Sequence, residues 1–155
     1  GLDLDRDMAA RVQSSYIDRQ YRIEMIDGVL LQLQRFISGG HIVGIITNGP
    51  EDHQTKKIRA LGVDKLIPPN RIFISDAVGI AKPDPEIFAY VNKMTGTSPE
   101  HCLYIGDTWA NDVVGALDAG WKVCWYNPRD RQPLTVHVPT YTFTTYEEFK
   151  SLPIL

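Results

Sequence analysis

Two cysteines are all that this chain of 155 residues contains. Both, Cys102 and Cys124, sit inside apolar runs of strand length, which reads as buried, reduced thiols of a cytoplasmic protein rather than as a disulfide framework. Basic runs are missing as well. With no lysine- or arginine-rich segment and a net charge of −3, the chain lacks the basic face that nucleic acid or an anionic membrane requires. No apolar stretch approaches membrane-spanning length. The start is no signal peptide either, because Asp3, Asp5 and Asp7 crowd it. The four histidines (His41, His53, His101 and His137) share no metal-ligand spacing, which argues against a zinc site. Repeats, linkers and low-complexity tracts are also absent. An apolar fraction of 43% is enough for one sizeable core, so a single soluble domain is expected.

What is present alternates between two periods. From about Leu4 to Ile26 a weak helical pattern runs, with Leu4, Met8 and Val12 four apart. Between Gly28 and Ile37 the stripe is strong: Val29, Leu30, Leu33, Phe36 and Ile37 share a face until Gly39-Gly40 stops it. Residues 42–46 are continuously apolar apart from Gly44, the mark of a strand covered on both faces in a parallel sheet. The unit then recurs. A helix over 51–61 closes at Gly62 and a short strand covers 72–74. Asp84 and Pro85 open a helix that buries Ile87, Phe88, Val91 and Met94 and ends at Gly96. A strand over 102–105 is followed by a helix lined by Ala110, Val113, Val114 and Leu117. Strands over 122–126 and 141–143 and a short helix over 145–150 complete the series. Alternation at this spacing predicts a doubly wound, Rossmann-like α/β sheet.

In such sheets ligands gather at the carboxyl ends of the strands. Thr47 and Asn48 follow the 42–46 strand, Asp107 follows 102–105 with Asp112 five residues on, and Lys82 lies in the loop before the Asp84 helix, backed by the stiff Pro83. A hydroxyl, a cation and two carboxylates on one edge suit phosphoryl transfer, in which carboxylates hold magnesium while the lysine and hydroxyl neutralise phosphoryl oxygens. Each residue also has a plainer reading. Thr47-Asn48-Gly49 spells a turn, Asp107 or Thr108 a helix cap, and Lys82 a solvated lysine. Trp109 reads as core and His53 as exposed.

The run Ile45-Ile46-Thr47-Asn48-Gly49 resembles the second motif of the haloacid dehalogenase superfamily. Lys82-Pro83-Asp84-Pro85-Glu86-Ile87-Phe88 resembles its third, and Gly106-Asp107-Thr108-Trp109-Ala110-Asn111-Asp112 its fourth. Order and spacing match over roughly residues 28–127, and three motifs in sequence are far more specific than any one. The resemblance implies a magnesium-dependent phosphatase that acts on a small phosphorylated metabolite through an aspartyl-phosphate. Thr47 and Asn48 would hold the phosphoryl group, and Lys82 would orient the attacking carboxylate. Asp107 would ligate Mg2+, with Asp112 bound through water or positioning the other ligands.

One motif departs from the family pattern. Asp3-Leu4-Asp5 has the spelling of the first motif, Asp-x-Asp, but only Gly1 and Leu2 precede it, too few for a strand. It reads instead as a helix start, where carboxylates complement the amide end. Residues 1–27 are then a remnant of a helical cap, and 28–155 a core lacking its first strand. By the resemblance that strand lies between 42–46 and 102–105, supplied by a segment absent here or by another chain. The 155 residues alone are accordingly expected to be inactive. Alternative readings are a metal-independent 2-haloacid dehalogenase, a phosphomutase of the same superfamily, and a non-catalytic binding domain.

Overall fold

The computed structural model describes residues 21–151 together with Met8 and Arg11, which are helical. Most of the expected 4–26 helix, with Asp3 and Asp5, therefore lies outside the described residues. Where its last part is described, residues 21–28 form turns and irregular chain rather than helix.

Among the described residues five short strands form, and every pairing between them is parallel, as continuous apolar runs favour. They form two sheets rather than one. Strand β1 (Ile45–Thr47) pairs with β2 (Ile72–Ile74), and separately β3 (Leu103–Gly106), β4 (Lys122–Tyr126) and β5 (Tyr141–Phe143) pair in that order. The helices are α1 (Val29–Ser38), α2 (Glu51–Ala60), α3 (Ser75–Val78), α4 (Pro85–Thr95), α5 (Gly115–Asp118) and α6 (Tyr146–Ser151). Local chemistry sets their ends. The Asp84 carboxylate accepts from the Glu86 amide at 2.9 Å, Pro85 occupies the first turn, and Gly96 closes α4 in the left-handed conformation.

Three details differ from the sequence expectation. The first strand begins at Ile45, not at residue 42, because its partner β2 offers only three residues to pair with. Met94 is exposed, since it falls off the stripe that buries Ile87, Phe88, Val91 and Asn92. The helix over 110–117 begins as a π-helix at Trp109–Val114 and turns α only at Gly115.

One apolar core, including Phe88, Val113 and Val123, joins the two sheets on one face, with Ile46 and Phe73 contributed by one sheet and Trp125 by the other. On the opposite face α1 straddles both sheets: Leu33 packs with Ile58 and Ile74, and Phe36 with Phe149. Yet α1 buries none of its residues, and Leu30, Leu31 and Ile37 are exposed. Beneath it, between β1 and β3, lies a cavity of about 780 Å³. It is bordered by Val29, Leu33 and Phe36 of α1, by Gly44–Ile46, and by Cys102–Ile105. Cys102 and Cys124 are free and buried, and burial raises the Cys124 thiol to a pKa of about 11. Among the described residues no helix is long and apolar enough to cross a membrane.

Candidate active site

The carboxyl ends of β1 and β3 carry the residues singled out from the sequence. Lys82 is the hub. Its ammonium donates to the Tyr104 hydroxyl at 2.7 Å and pairs with Asp112 Oδ1 at 2.6 Å. The Lys82 and Asp112 side chains are only 10% and 6% exposed, so each charge depends on the other for solvation. The Tyr104 hydroxyl in turn donates a hydrogen bond to the Ile46 carbonyl at 3.1 Å, reaching from β3 across to β1. Burial, reinforced by the nearby Asp112, holds the Tyr104 pKa well above the ordinary tyrosine range, so it stays a neutral donor.

Asn48 turns out to serve Lys82. Its amide nitrogen donates to the Lys82 carbonyl at 2.8 Å, and its oxygen accepts from the Lys82 amide at 3.0 Å. This pair of hydrogen bonds fixes the loop, whose Lys82–Pro83 peptide is cis. The Thr47 hydroxyl donates to Gln54 Oε1 at 3.1 Å, one turn into α2. Ser75 and Asp76 of α3 accept from the amides of Gly49 and Glu51, at 3.0 and 3.1 Å, closing that side.

The two carboxylates play different parts. Asp112 is buried with both oxygens engaged: Oδ1 with Lys82, and Oδ2 with the amides of Asp107 and Thr108 at 3.1 and 2.9 Å. The π-turn makes this reach-back geometry, widening the chain so that Asp112 folds over its own preceding loop. Gly106 is required beneath it, because a Cβ there would lie 2.6 Å from the Asp112 side chain. Asp107 is exposed, and its carboxylate accepts a long hydrogen bond of 3.5 Å from the hydroxyl of its neighbour Thr108. The Trp125 indole anchors the Asp107 carbonyl at 3.2 Å.

This donor set suits a hard cation only in part. Among the described residues no group of three or more His, Cys, Asp or Glu is placed to hold a metal. Magnesium, however, binds through one or two carboxylates and keeps several waters, and Asp107 has oxygens free to offer. Both Asp112 oxygens are already engaged, by Lys82 and by the amides of Asp107 and Thr108.

The sequence reading did not single out Tyr104, Gln54, Ser75, Asp76 or Trp125. A tyrosine inside an apolar strand must find a partner for its hydroxyl, and that was a usable signal for Tyr104; the others leave no local pattern. Trp109 is core, with its indole on Thr135 at 3.0 Å. His53 is half-buried and shares a 3.1 Å hydrogen bond with the Tyr21 hydroxyl rather than lying exposed.

The model of the haloacid dehalogenase-like hydrolases matches residues 4–126. The chain belongs to that family. It is 32% identical over 123 residues to the pyrimidine 5'-nucleotidase YjjG of Escherichia coli, a stretch covering 79% of this chain and 54% of that protein. It is 31% identical to the glyceraldehyde 3-phosphate phosphatase of Pyrococcus furiosus, over 81% of this chain and 52% of that enzyme. The chain thus spans about half the length of these two relatives. Among solved structures, HAD-hydrolase YfnB of Bacillus subtilis, crystallised with magnesium, is 34% identical with a TM-score of 0.70, over 80% of this chain and 54% of that one. Membership accounts for the doubly wound α/β architecture.

Proposed function

We propose that this chain is the phosphoryl- and metal-holding part of a magnesium-dependent phosphatase that acts on a small phosphorylated metabolite. The observation that carries the proposal is the buried Lys82–Asp112 pair, set beside the open Asp107 and the Thr47 hydroxyl at the carboxyl ends of β1 and β3. A positive charge with an available donor, a hydroxyl and an uncommitted carboxylate are what a transferring phosphoryl group and its cation need. The chemistry named for the nucleotidase and phosphatase relatives is of this class.

In the reaction the family resemblance implies, a carboxylate attacks phosphorus and the alcohol departs. Water then hydrolyses the aspartyl-phosphate, releasing inorganic phosphate and restoring the carboxylate. The attacking group belongs to a segment outside residues 21–151. Lys82 spends two of its three N–H donors on Tyr104 and Asp112; the third is left for the nucleophile or a phosphoryl oxygen. The Thr47 hydroxyl donates to Gln54 until a phosphoryl oxygen accepts that hydrogen bond instead, and Asn48 keeps Lys82 in register. Asp107 would hold Mg2+, which when bound offsets charge on the phosphoryl oxygens.

The test is magnesium-dependent hydrolysis of p-nitrophenyl phosphate by the protein with its nucleophile-bearing segment present. Replacing Asp107 by Asn should lower turnover at least about tenfold and raise the magnesium concentration required. Unchanged turnover and magnesium dependence would overturn the assignment.

A further inference from the structure

A threonine hydroxyl carries one hydrogen, and that of Thr47 is already committed to Gln54 Oε1 at 3.1 Å. A phosphoryl oxygen offers only lone pairs, so Thr47 can bind it only by releasing that hydrogen. The release leaves Thr47 Oγ1 and Gln54 Oε1 facing each other, acceptor against acceptor. A carboxamide can relieve this by itself. Its oxygen and nitrogen sit at the same end of the side chain, and half a turn about the terminal bond, whose torsion is broad and two-fold, exchanges them. We propose that Gln54 is a positioning residue that turns its amide when a phosphoryl group arrives: Oε1 accepts from Thr47 before binding, and Nε2 donates to Thr47 after it. This rests on the phosphatase reading only in taking Thr47 as a hydrogen-bond donor to the phosphoryl group.

The stem of Gln54 is held while its end can rotate. Gln54 is the fourth residue of α2, and its backbone amide donates to the Pro50 carbonyl at 3.0 Å. The carboxamide lies against Gly49, where a Cβ would come within 2.6 Å of Nε2, 3.3 Å of Cδ and 3.4 Å of Cγ. Gly49 thus keeps open the space in which the amide sits. Its own amide is tied to Ser75 Oγ at 3.0 Å, which steadies that floor. A turned oxygen fits there as well, being no larger than the NH2 group it replaces. Among the described residues Nε2 has no acceptor, so the bond to Thr47 is the hydrogen bond that sets the present orientation.

Asn48, next to Thr47, is the contrast. Both ends of its amide are engaged by the Lys82 backbone, at 2.8 and 3.0 Å. Turning it would set donor against donor and oxygen against oxygen, so Asn48 is locked. Gln54, engaged at one end, is not. After the turn, Thr47 Oγ1 accepts an N–H from Gln54, which polarises the hydroxyl and strengthens the bond it donates to the phosphoryl oxygen. A glutamate at this place could accept from Thr47 but not donate back. A methionine could do neither.

The experiment measures kcat/KM for p-nitrophenyl phosphate, and inorganic phosphate affinity by titration calorimetry, on the protein with its nucleophile-bearing segment present. The variants are Gln54→Met and Gln54→Glu, each made alone and together with Thr47→Val. If Gln54 only accepted from Thr47, Gln54→Glu would be the conservative replacement and stay near the parent. A turning amide reverses that order. Gln54→Met should lower kcat/KM about three- to tenfold, and Gln54→Glu at least about thirtyfold. The added charge of Gln54→Glu repels phosphate whatever Thr47 does, so the decisive quantity is the coupling between the two positions. Alongside Thr47→Val, Gln54→Met should cost less than about twofold, and the Gln54→Glu penalty should shrink at least about threefold. Gln54→Glu matching the parent, or losses undiminished alongside Thr47→Val, would overturn the inference. Phosphate affinities should follow the same order, parent above Gln54→Met above Gln54→Glu, independently of turnover. No magnesium-dependent hydrolysis by the parent, with that order intact, would sink the phosphatase reading and uphold the role of Gln54.

Discussion

Strands β3 and β4 are similar in character and lie side by side, yet they meet water differently. Val123 and Cys124 of β4 are fully buried and Trp125 is 3% exposed, while Leu103, Tyr104 and Ile105 of β3 are only partly buried. The residues do not explain the contrast; the neighbours do. β4 has a strand on each side and β3 has one. On the other side of the cavity β1 repeats the pattern, with only Ile46 of its three residues buried. An apolar run thus specifies that a strand forms, and its partners determine how much of it leaves water.

Substitutions on the filled and hollow sides should separate accordingly. The largest effect belongs to Phe143→Ala. Phe143 is 1% exposed and packs with Phe149, Tyr126 and Tyr146, so its loss should cost about 3–5 kcal/mol in denaturant unfolding. Asp112→Ala should cost a similar amount, about 3–5 kcal/mol, because it strands the Lys82 ammonium in a buried place. A loss under about 1 kcal/mol would mean that water reaches the pair readily. Gly106→Ala should cost about 1–3 kcal/mol by driving a methyl into Asp112. The double variant Gly106→Ala/Asp112→Ala should then lose less than the sum of its parts, since the clash disappears with the carboxylate. The smallest effect is expected for Phe36→Ala on the roof of the cavity, under about 2 kcal/mol, because that ring already borders open space. A Phe36 loss equal to that of Phe143 would erase the contrast between the two sides.

Much of the fold could be read from the sequence, because its signals are local. Residues 122–126 and 141–143 form strands as expected, and the Asp84-Pro85 start and Gly96 stop frame α4 as their chemistry requires. The strands part into two sheets, 45–47 with 72–74 and 103–106 with 122–126 and 141–143. What could not be read depends on residues distant in the chain. Asn48 finds Lys82 across 34 positions, and Lys82 finds Tyr104 across 22; no periodicity announces such pairs. The π-turn at Trp109–Val114 was likewise hidden, because Ala110, Val113, Val114 and Leu117 are spaced as an ordinary helix would space them. The widened turn accompanies the hydrogen bonds of Asp112 to the amides of Asp107 and Thr108.

The Tyr104–Ile46 bridge and the Asn48–Lys82 clasp both lie on the rim of the candidate site, whereas the far end of the cavity between β1 and β3 is lined by Gly44, Val43 and His41 and roofed by a loosely packed helix. Mechanically the molecule is a clothes-peg, sprung at one end by directional bonds and held elsewhere by apolar contact that tolerates sliding. Small separations of the two halves should therefore pivot about the Lys82 end. The jaws can breathe at the amino-terminal side of the strands while the groups that would grip a phosphoryl oxygen keep their spacing.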